Sequence, residues 1–408
     1  MSTDPARDLK SIPLTADPSG VDEFDETSVR LRRAVESVLG HSFVGGNDVR
    51  VLRNGHEIFP AMLEAIESAE SSIDFVTFVY WTGDIARRFA HALAERARAG
   101  VRVRVILDAF GSLPMDDSLI QEMRTSGAVV ERFRPVMRWK IWESDHRTHR
   151  KILICDDKVG FTGGVGIAEE WQGDARNPQE WRDTHFRLEG PAVLGLRAAF
   201  LTDWRDAGHA IDAADIDVAS PEPAGFTALA VVDGSAQIGF NDAERVLEAL
   251  IAAAQDTIKI QTPYFNPTEE LIDALIEARH RRVSVEILLP GPHIDKRVSA
   301  VVAEARYAQL LEHGIRVTLY QPTMMHVKAV LIDGAIACVG SVNLNRRSVE
   351  KDEEVAVLVL DRDVVAELEH HFDEDVDASV PVVPERDLPP LLLRRIARFI
   401  LRPLRREF

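Results

Sequence analysis

Residues 149–156 read HRKILICD, and residues 326–333 read HVKAVLID. Each stretch places a lysine two residues after a histidine and an aspartate five residues after that lysine. Even the loosest version of this spacing, a histidine followed by any basic and any acidic residue, is expected only about 0.25 times in a chain of this composition. Two strict copies therefore indicate a duplicated unit.

Each copy combines an imidazole with an ammonium group that is close to it in space. Residues two apart on a strand project to the same face, and the aliphatic residues within each motif predict a strand. Small residues follow each motif, where backbone or hydroxyl groups can approach a ligand closely. Two such pairs predict an anion site. Metal binding is the rival interpretation, but lysine is a protonated cation and no HExxH or CxxC spacing occurs, so we expect no metal and no cofactor.

Composition limits the class of protein. With 46% hydrophobic and 28% charged residues, the chain is typical of a soluble globular protein. The formal net charge of −18 argues against a general nucleic-acid binder, because neutralising a phosphate backbone needs a basic surface. No stretch has the length of a signal peptide or membrane span, and the two cysteines, Cys155 and Cys338, lie in apolar runs typical of reduced buried thiols. A cytoplasmic location is expected.

The C-terminal segment departs from this acidic average. Residues 388–408, LPPLLLRRIARFILRPLRREF, hold six arginines and one glutamate. On a helical wheel four of the arginines share one face and four apolar residues lie opposite, a pattern typical of a helix in an anionic membrane surface. The arginines are Arg394, Arg398, Arg402 and Arg405, and the apolar residues are Leu392, Ile396, Phe399 and Ile400. The alternative is a helix that docks on the protein's own acidic surface. We therefore predict a peripheral protein on the cytoplasmic face of the membrane.

The two halves of the chain match well beyond the motifs. Residues 61–81, AMLEAIESAESSIDFVTFVYW, parallel residues 245–265, RVLEALIAAAQDTIKIQTPYF. Each half alternates helical periodicity with short β-branched runs, which predicts an α/β fold of two pseudo-symmetric domains. In each domain we expect a mixed, largely parallel β-sheet flanked by helices. The active site is expected at the interface of the domains.

Turn-forming and acidic residues mark the expected boundaries. The predicted organisation is a lead-in with one helix at 1–46, a first domain at 47–211, a linker at 212–226, a second domain at 227–375, and a linker with the basic amphipathic helix at 376–408.

These features resemble the phospholipase D superfamily, which is marked by two HxKx4D motifs with GG or GS downstream. The resemblance covers roughly residues 44 to 375. The flanking sequences VILDAFGS, QTPYF and GSVNLNRRS look most like those of the bacterial cardiolipin synthases. Because the chain lacks paired N-terminal spans, it is similar to the soluble, membrane-associated type of those enzymes.

The resemblance implies a two-step mechanism. One histidine attacks a phosphodiester phosphorus to form a phosphohistidine, and the other protonates the leaving alkoxide and later deprotonates the acceptor hydroxyl. By resemblance, His149 is favoured as the nucleophile and His326 as the acid and base. Lys151 and Lys328 would hold the nonbridging oxygens. The aspartates of the motifs, Asp156 and Asp333, complete the implied catalytic set, although either could instead cap the turn after its strand.

Further residues are implied to bind substrate or to orient the histidines. Asp183 in WRDTH and Glu354 in KDEEV resemble the carboxylates that orient catalytic imidazoles, the alternative being plain surface charges. One departure from the family pattern is Gly166, which stands where the second half has an asparagine. The remaining candidates are Gly164, Ser341 and Asn343.

The expected reaction transfers a phosphatidyl group from one phosphatidylglycerol to the hydroxyl of another, giving cardiolipin and glycerol. Hydrolysis of a phosphodiester by the same intermediate is the nearest alternative. A nuclease of the same superfamily is a more distant one, as is a lipid-binding module without activity. The expected partners are phosphatidylglycerol and an anionic membrane surface, without nucleic acid. The oligomeric state stays open.

Overall fold

A computed structural model describes residues 25–135, 146–216, 218–234 and 242–383. In its first half, helices alternate with short strands. The elements are α1 (Glu26–Leu39), β1 (Val44–Arg53), α2 (Asn54–Ser68), β2 (Ser72–Thr77), α3 (Asp84–Arg98), β3 (Arg102–Asp108), α4 (Asp117–Thr125), β4 (Val129–Phe133), β5 (Ile152–Cys155), β6 (Val159–Gly163), β7 (Thr184–Glu189), α5 (Val193–Asp206) and α6 (Ala213–Ile216).

The second half repeats this order from its first strand onward. Its elements are β8 (Thr227–Gly234), α7 (Asp242–Ala253), β9 (Thr257–Gln261), α8 (Glu269–His280), β10 (Ser284–Pro290), α9 (Arg297–Glu312), β11 (Arg316–Tyr320), β12 (Ala329–Ile332), β13 (Ile336–Gly340), α10 (Arg346–Glu350), β14 (Glu354–Leu360), α11 (Arg362–Asp377) and β15 (Ser379–Pro381).

Within the described residues, one 15-stranded sheet runs through both halves, in the order β15-β11-β10-β9-β12-β13-β14-β8-β1-β7-β6-β5-β2-β3-β4. The halves meet where β1 pairs with β8 in antiparallel fashion. Each half thus contributes one continuous block of strands, and the blocks are related by a pseudo-twofold arrangement. The predicted α/β class with two similar halves is confirmed.

The expectation that each sheet is largely parallel is wrong. Among the strands that the structure describes, parallel pairing is confined to β2-β3-β4 and to β9-β10-β11. The motif strands β5 and β12 instead run antiparallel to both of their neighbours. For β6 and β13 the cause is chain length: three residues separate β5 from β6 and β12 from β13, and a parallel connection needs a crossover of about a dozen residues or more.

The two motif strands lie in the interior of the molecule. All four residues of β5 and all four of β12 are buried, which fits their continuous aliphatic sequences. A shared apolar core on one face of the sheet includes Ile152 and Phe186 of the first half with Val327 and Val355 of the second. This common core fixes the motif strands of the two halves relative to each other.

The first helix belongs structurally to the second half. The Asp25 carboxylate caps α1 by accepting hydrogen bonds from the backbone amides of Thr27 and Ser28. Leu31 and Val35 are fully buried in the same apolar cluster as residues of α7. The helix predicted as a lead-in therefore contributes to the core of the half that is remote from it in sequence.

Among the described residues, no helix combines the length and the apolar character needed to cross a bilayer. The polar segment before residue 25 and the predicted basic helix at 388–408 lie outside the described residues.

Candidate active site

The histidine and lysine of each motif lie on extended backbone directly before a buried strand. His149 and Lys151 precede β5, and His326 and Lys328 precede β12. All four side chains are buried, with exposures between 4% and 9%. The strands therefore begin slightly later than the motifs, and the imidazole and ammonium groups lie at the strand ends.

Backbone pairing between the halves places each motif beside a carboxylate from the other half. The His149 amide donates to the carbonyl of Glu353 at 2.8 Å, next to an isolated bridge between Thr148 and Glu353. In the same way, the His326 amide donates to the carbonyl of Arg182 at 2.7 Å. The residues that follow these two carbonyls are Glu354 and Asp183.

Each imidazole is held by the carboxylate that this pairing supplies. His149 Nδ1 lies 3.0 Å from both carboxylate oxygens of Glu354 and 3.1 Å from the Ser341 carbonyl oxygen. His326 Nδ1 lies 2.8 Å from an oxygen of Asp183. A carbonyl oxygen can only accept, so Nδ1 of His149 carries the hydrogen, and a deprotonated Asp183 imposes the same tautomer on His326. Nε2 of each ring then keeps its lone pair.

A second layer of hydrogen bonds fixes the two carboxylates. The Ser341 hydroxyl donates to Glu354. Asp183 accepts from the indole nitrogen of Trp171 at 2.8 Å and from the Thr184 amide at 2.8 Å. Gly164 leaves room for this carboxylate, because a Cβ at that position would lie 2.2 Å from Asp183 Oδ1. Ser341 and Gly164 thus act on the site through the carboxylates.

Burial governs the charge of the two imidazoles. It lowers the pKa of His149 well below its usual value, and the nearby Lys151 and Lys328 lower this pKa further. Burial and Lys328 lower the pKa of His326 to about 4. Both rings are therefore uncharged at neutral pH, which is the form that a nucleophile or a proton acceptor needs.

The two carboxylates differ from each other. Burial raises the pKa of Glu354 to about 7, although Lys151 favours its ionised form. Burial also disfavours ionisation of Asp183, but the hydrogen bond from His326 and the charge of Lys328 outweigh it, and the pKa of Asp183 is lowered. The two histidine–carboxylate pairs are therefore chemically similar, but Asp183 is ionised at neutral pH whereas Glu354 titrates near it.

The two lysines are cations whose protonation responds to the site. Burial lowers the pKa of Lys151 to about 8 and that of Lys328 to about 7. The Nζ atoms donate to the carbonyls of His149 and His326, each at 2.8 Å. The Lys328 Nζ also lies 3.2 Å from His326 Nε2. An anion between the rings would stabilise the charged form of Lys151, which lines the cavity, and that of the nearby Lys328.

Both histidines open into one cavity of about 350 Å³ between the halves. Lys151 also lines it, whereas Lys328 lies against the ring of His326. The rest of the wall is largely apolar. The ring centres of Phe78 and His149 lie 5.1 Å apart, as do those of Trp171 and His326. Further wall residues are Val79, Trp81, Phe110, Leu113, Pro114, Trp181 and Tyr264. The cavity therefore combines the two imidazoles and Lys151 with a largely apolar wall.

The aspartates of the motifs do not join this cavity. Asp156 accepts hydrogen bonds from the backbone amides of residues 70–72, and Asp333 accepts from those of residues 255–257. Both lie at the far ends of β5 and β12, with positive φ of 55° and 52°. Their inclusion in the catalytic set is therefore corrected: the capping alternative describes them, because aspartate tolerates this left-handed backbone and its oxygens satisfy the loop amides.

Asn343 and its counterpart Gly166 differ for a steric reason. Asn343 is buried, and its side-chain oxygen has no hydrogen-bond partner among the described residues. It does not line the cavity. At Gly166, a Cβ would lie 2.6 Å from the Cβ of Val79, so packing excludes any side chain there.

Several cavity residues were not predicted as site residues from sequence. Asp295 and Lys296 follow β10, and Phe110 and Leu113 follow the equivalent strand β3. Their position after a parallel strand could have identified them from sequence, because loops after the carboxyl ends of parallel strands commonly carry binding residues. Among the described residues, no cluster of three or more metal-binding side chains occurs.

Comparison with known proteins gives a consistent family. The sequence profile described as "Cardiolipin synthase, PLD-like domain" matches residues 62–171 and 247–376. A probable cardiolipin synthase of Bacillus subtilis, YwiE, is 33% identical over 83% of this chain and 68% of its own length. A cardiolipin synthase of Listeria monocytogenes is 31% identical over 89% of this chain and 76% of its own length.

A solved structure supports the fold. Phosphatidylserine synthase of Haemophilus influenzae superposes with a TM-score of 0.68 at 15% identity, covering 93% of this chain and all of that chain. At this identity the likeness concerns the arrangement of the backbone.

Proposed function

Because the chain belongs to the cardiolipin synthase family of the phospholipase D superfamily, and is thereby a phosphatidyltransferase, we propose that it makes cardiolipin from two molecules of phosphatidylglycerol. One observation carries the proposal. Two uncharged imidazoles, each oriented by a carboxylate of the opposite half, open into the same cavity as a buried lysine. This constellation suits a two-step transfer at one phosphorus.

In the first step, His149 Nε2 attacks the phosphorus of the first lipid. A nitrogen–phosphorus bond forms and the phosphorus–oxygen bond to glycerol breaks. The departing glycerol oxygen takes its proton from His326, whose pKa rises when the anionic phosphodiester lies beside it. The ionised Asp183 supports this assignment, since a carboxylate in contact with Nδ1 stabilises the imidazolium that a proton carrier must form.

In the second step, a hydroxyl of another phosphatidylglycerol attacks the phosphohistidine. That hydroxyl gives its proton to His326, the nitrogen–phosphorus bond breaks, and cardiolipin leaves. Lys151 and Lys328 stabilise the charge on the nonbridging oxygens through both steps. A donor aimed at charge in a transition state is typically worth about 3 to 4 kcal/mol. No metal is needed in this scheme.

Hydrolysis is the second candidate, because water in place of the lipid hydroxyl would give phosphatidic acid. The aromatic wall of the cavity favours transfer, since it disfavours water next to the intermediate. The distant nuclease alternative is disfavoured by the acidic composition. Asn343, Ser341 and Gly164 are proposed to support the site, Asn343 through its unpartnered amide oxygen.

The deciding experiment is mass analysis of the lipids that the purified protein makes from phosphatidylglycerol vesicles. Cardiolipin and glycerol are expected in equal amounts. Phosphatidic acid without cardiolipin, carrying oxygen from labelled water, would replace the synthase by the hydrolase. Cleavage of plasmid DNA without any lipid product would favour the nuclease.

A further inference from the structure

Two large apolar side chains stand in water at the mouth of the cavity. Phe110 and Leu113 are each 59% exposed, yet they line the same cavity as His149 and His326. We call this pair the apolar rim. Exposed apolar residues scattered singly are ordinary, but a pair that borders a functional cavity indicates contact with another molecule.

The loop that carries the apolar rim is firmly built. The buried Asp108 carboxylate accepts hydrogen bonds from the amides of Phe110 and Gly111, each at 2.9 Å. The buried Ser112 hydroxyl donates to the Asp108 carbonyl at 2.6 Å, and the indole of Trp81 donates to the Gly111 carbonyl at 2.9 Å. The exposure of the rim is therefore fixed by buried polar contacts and does not come from a loose loop.

The equivalent loop of the second half is different. After β10, the residues that reach the cavity are Asp295 and Lys296. Asp295 accepts from the hydroxyl of Tyr264 at 2.8 Å, and the Lys296 ammonium lies 4.7 Å from the centre of that ring. The cavity mouth thus has one apolar side and one charged side, although the two halves share a fold.

The cavity is large enough for the headgroup of a phospholipid but not for its acyl chains. A volume of about 350 Å³ is at the lower end of the range for drug-sized ligands. It accommodates a glycerophosphate headgroup and leaves two long acyl chains outside. Those chains need an apolar surface next to the phosphate, and the apolar rim adjoins the phosphate site directly.

We infer that the apolar rim inserts into the lipid surface at the base of the acyl chains, while the charged side with Lys296 faces the headgroups. The inference rests on the proposed function, because it takes the substrate to be a membrane phospholipid. It assigns membrane contact to residues of the folded core, separate from the predicted C-terminal helix.

The test compares the wild-type chain with the double variant Phe110→Ser/Leu113→Ser. The matched control is Phe226→Ser, because Phe226 is 97% exposed and lies away from the cavity. Binding is measured by co-sedimentation with phosphatidylglycerol vesicles. Turnover is measured on those vesicles and on dihexanoyl phosphatidylglycerol held below its micelle concentration.

We expect the double variant to lose about a hundredfold in vesicle binding, because each of the two side chains contributes roughly tenfold when it leaves water. Its ratio of turnover on vesicles to turnover on monomers should fall by a similar factor, and Phe226→Ser should match the wild type in both.

Three results would overturn the inference. They are unchanged vesicle binding, an equal loss on vesicles and monomers, and a shift in oligomeric state that identifies the rim as a contact between copies. If the wild type makes no cardiolipin from either substrate, the proposed function fails by itself, and the binding comparison still decides about the rim.

Discussion

At the scale of single residues, the two histidines differ through their partners and not through their own sequence contexts. Both rings are buried and uncharged, and both donate from Nδ1. However, burial raises the pKa of Glu354 to about 7, whereas the contacts of Asp183 lower its pKa. A symmetric pair of histidines can thereby take asymmetric tasks.

The carboxylates can be tested by neutral substitutions of the same shape. In Glu354→Gln and Asp183→Asn, the imidazole loses the charge that stabilises its cationic state, and we expect kcat to fall by about 10²- to 10⁴-fold. The measurement is steady-state turnover on phosphatidylglycerol vesicles, with thermal unfolding to verify the fold.

The matched control for this pair is Glu350→Gln, which removes an exposed carboxylate from the same region. It should keep wild-type turnover. If Glu354→Gln and Glu350→Gln turn over equally fast, the orienting role of Glu354 is wrong.

The pH dependence of kcat/KM should follow the protonation of Lys151 and Lys328. Their ammonium forms bind phosphate and exist below the pKa of about 7 for Lys328 and about 8 for Lys151. We therefore expect kcat/KM to fall as pH rises from about 7 to about 9. Bound phosphate raises both pKa values, so kcat should fall only at higher pH. A kcat/KM that increases throughout this range would contradict the role of the lysines.

At the scale of elements, the motif aspartates stabilise the turns that follow the motif strands. Each carboxylate accepts hydrogen bonds from three backbone amides at the start of a neighbouring strand. Asp333 also forms an ion pair with Arg30 of α1 at 2.8 Å. The motif therefore joins two functions in one short segment: chemistry at its beginning and anchoring of the sheet at its end.

Asparagine at these two positions should affect stability more than turnover. In Asp156→Asn or Asp333→Asn, charge-assisted hydrogen bonds to three backbone amides are weakened, and the free energy of unfolding should fall by about 1 to 3 kcal/mol. Denaturant unfolding measures this loss. Turnover per folded molecule should stay near that of the exposed control Asp273→Asn. A loss of kcat comparable with that of Asp183→Asn would restore a catalytic role.

The elements themselves were only partly predictable. The repeat and the periodicity of residues 61–81 and 245–265 predicted the helix–strand units, because apolar spacing is local information. The direction of β5 and β12 was not predicted: the Asp-Gly pair at 333–334 gives a hairpin signal after β12, but residues 156–158 after β5 hold no glycine or proline, and neither turn identifies the second neighbour of its strand. The docking of α1 on the second half was missed for a similar reason: an apolar stripe does not identify its partner.

At the scale of the whole molecule, each half supplies the carboxylate that orients the histidine of the other. The contact between His326 and Asp183 spans 143 residues, and that between His149 and Glu354 spans 205. The duplicated motif predicted that the histidines converge. It did not predict which carboxylate serves which histidine, because that choice is made by strand pairing across the pseudo-twofold arrangement.

This crossed arrangement predicts a site that is complete within one chain. Mixtures of His149→Ala and His326→Ala proteins should therefore stay inactive, because neither chain holds both imidazoles in its own cavity. The measurement is cardiolipin formation over a range of mixing ratios, including co-purified mixtures. Recovery of activity in the mixture would mean that the working cavity is shared between two chains.

The central claim is that the phosphatidyl group is bound covalently to His149 while His326 acts as the general acid and general base. It is tested most directly by mixing the protein with phosphatidyl-p-nitrophenol, a substrate whose leaving group needs no acid, and quenching the reaction rapidly. The quenched protein is then examined by intact-mass analysis and peptide mapping. We predict a phosphatidyl adduct on His149 in the wild type, its accumulation in His326→Ala and its absence in His149→Ala. An adduct on another residue, or turnover by His149→Ala at the wild-type rate, would contradict the account.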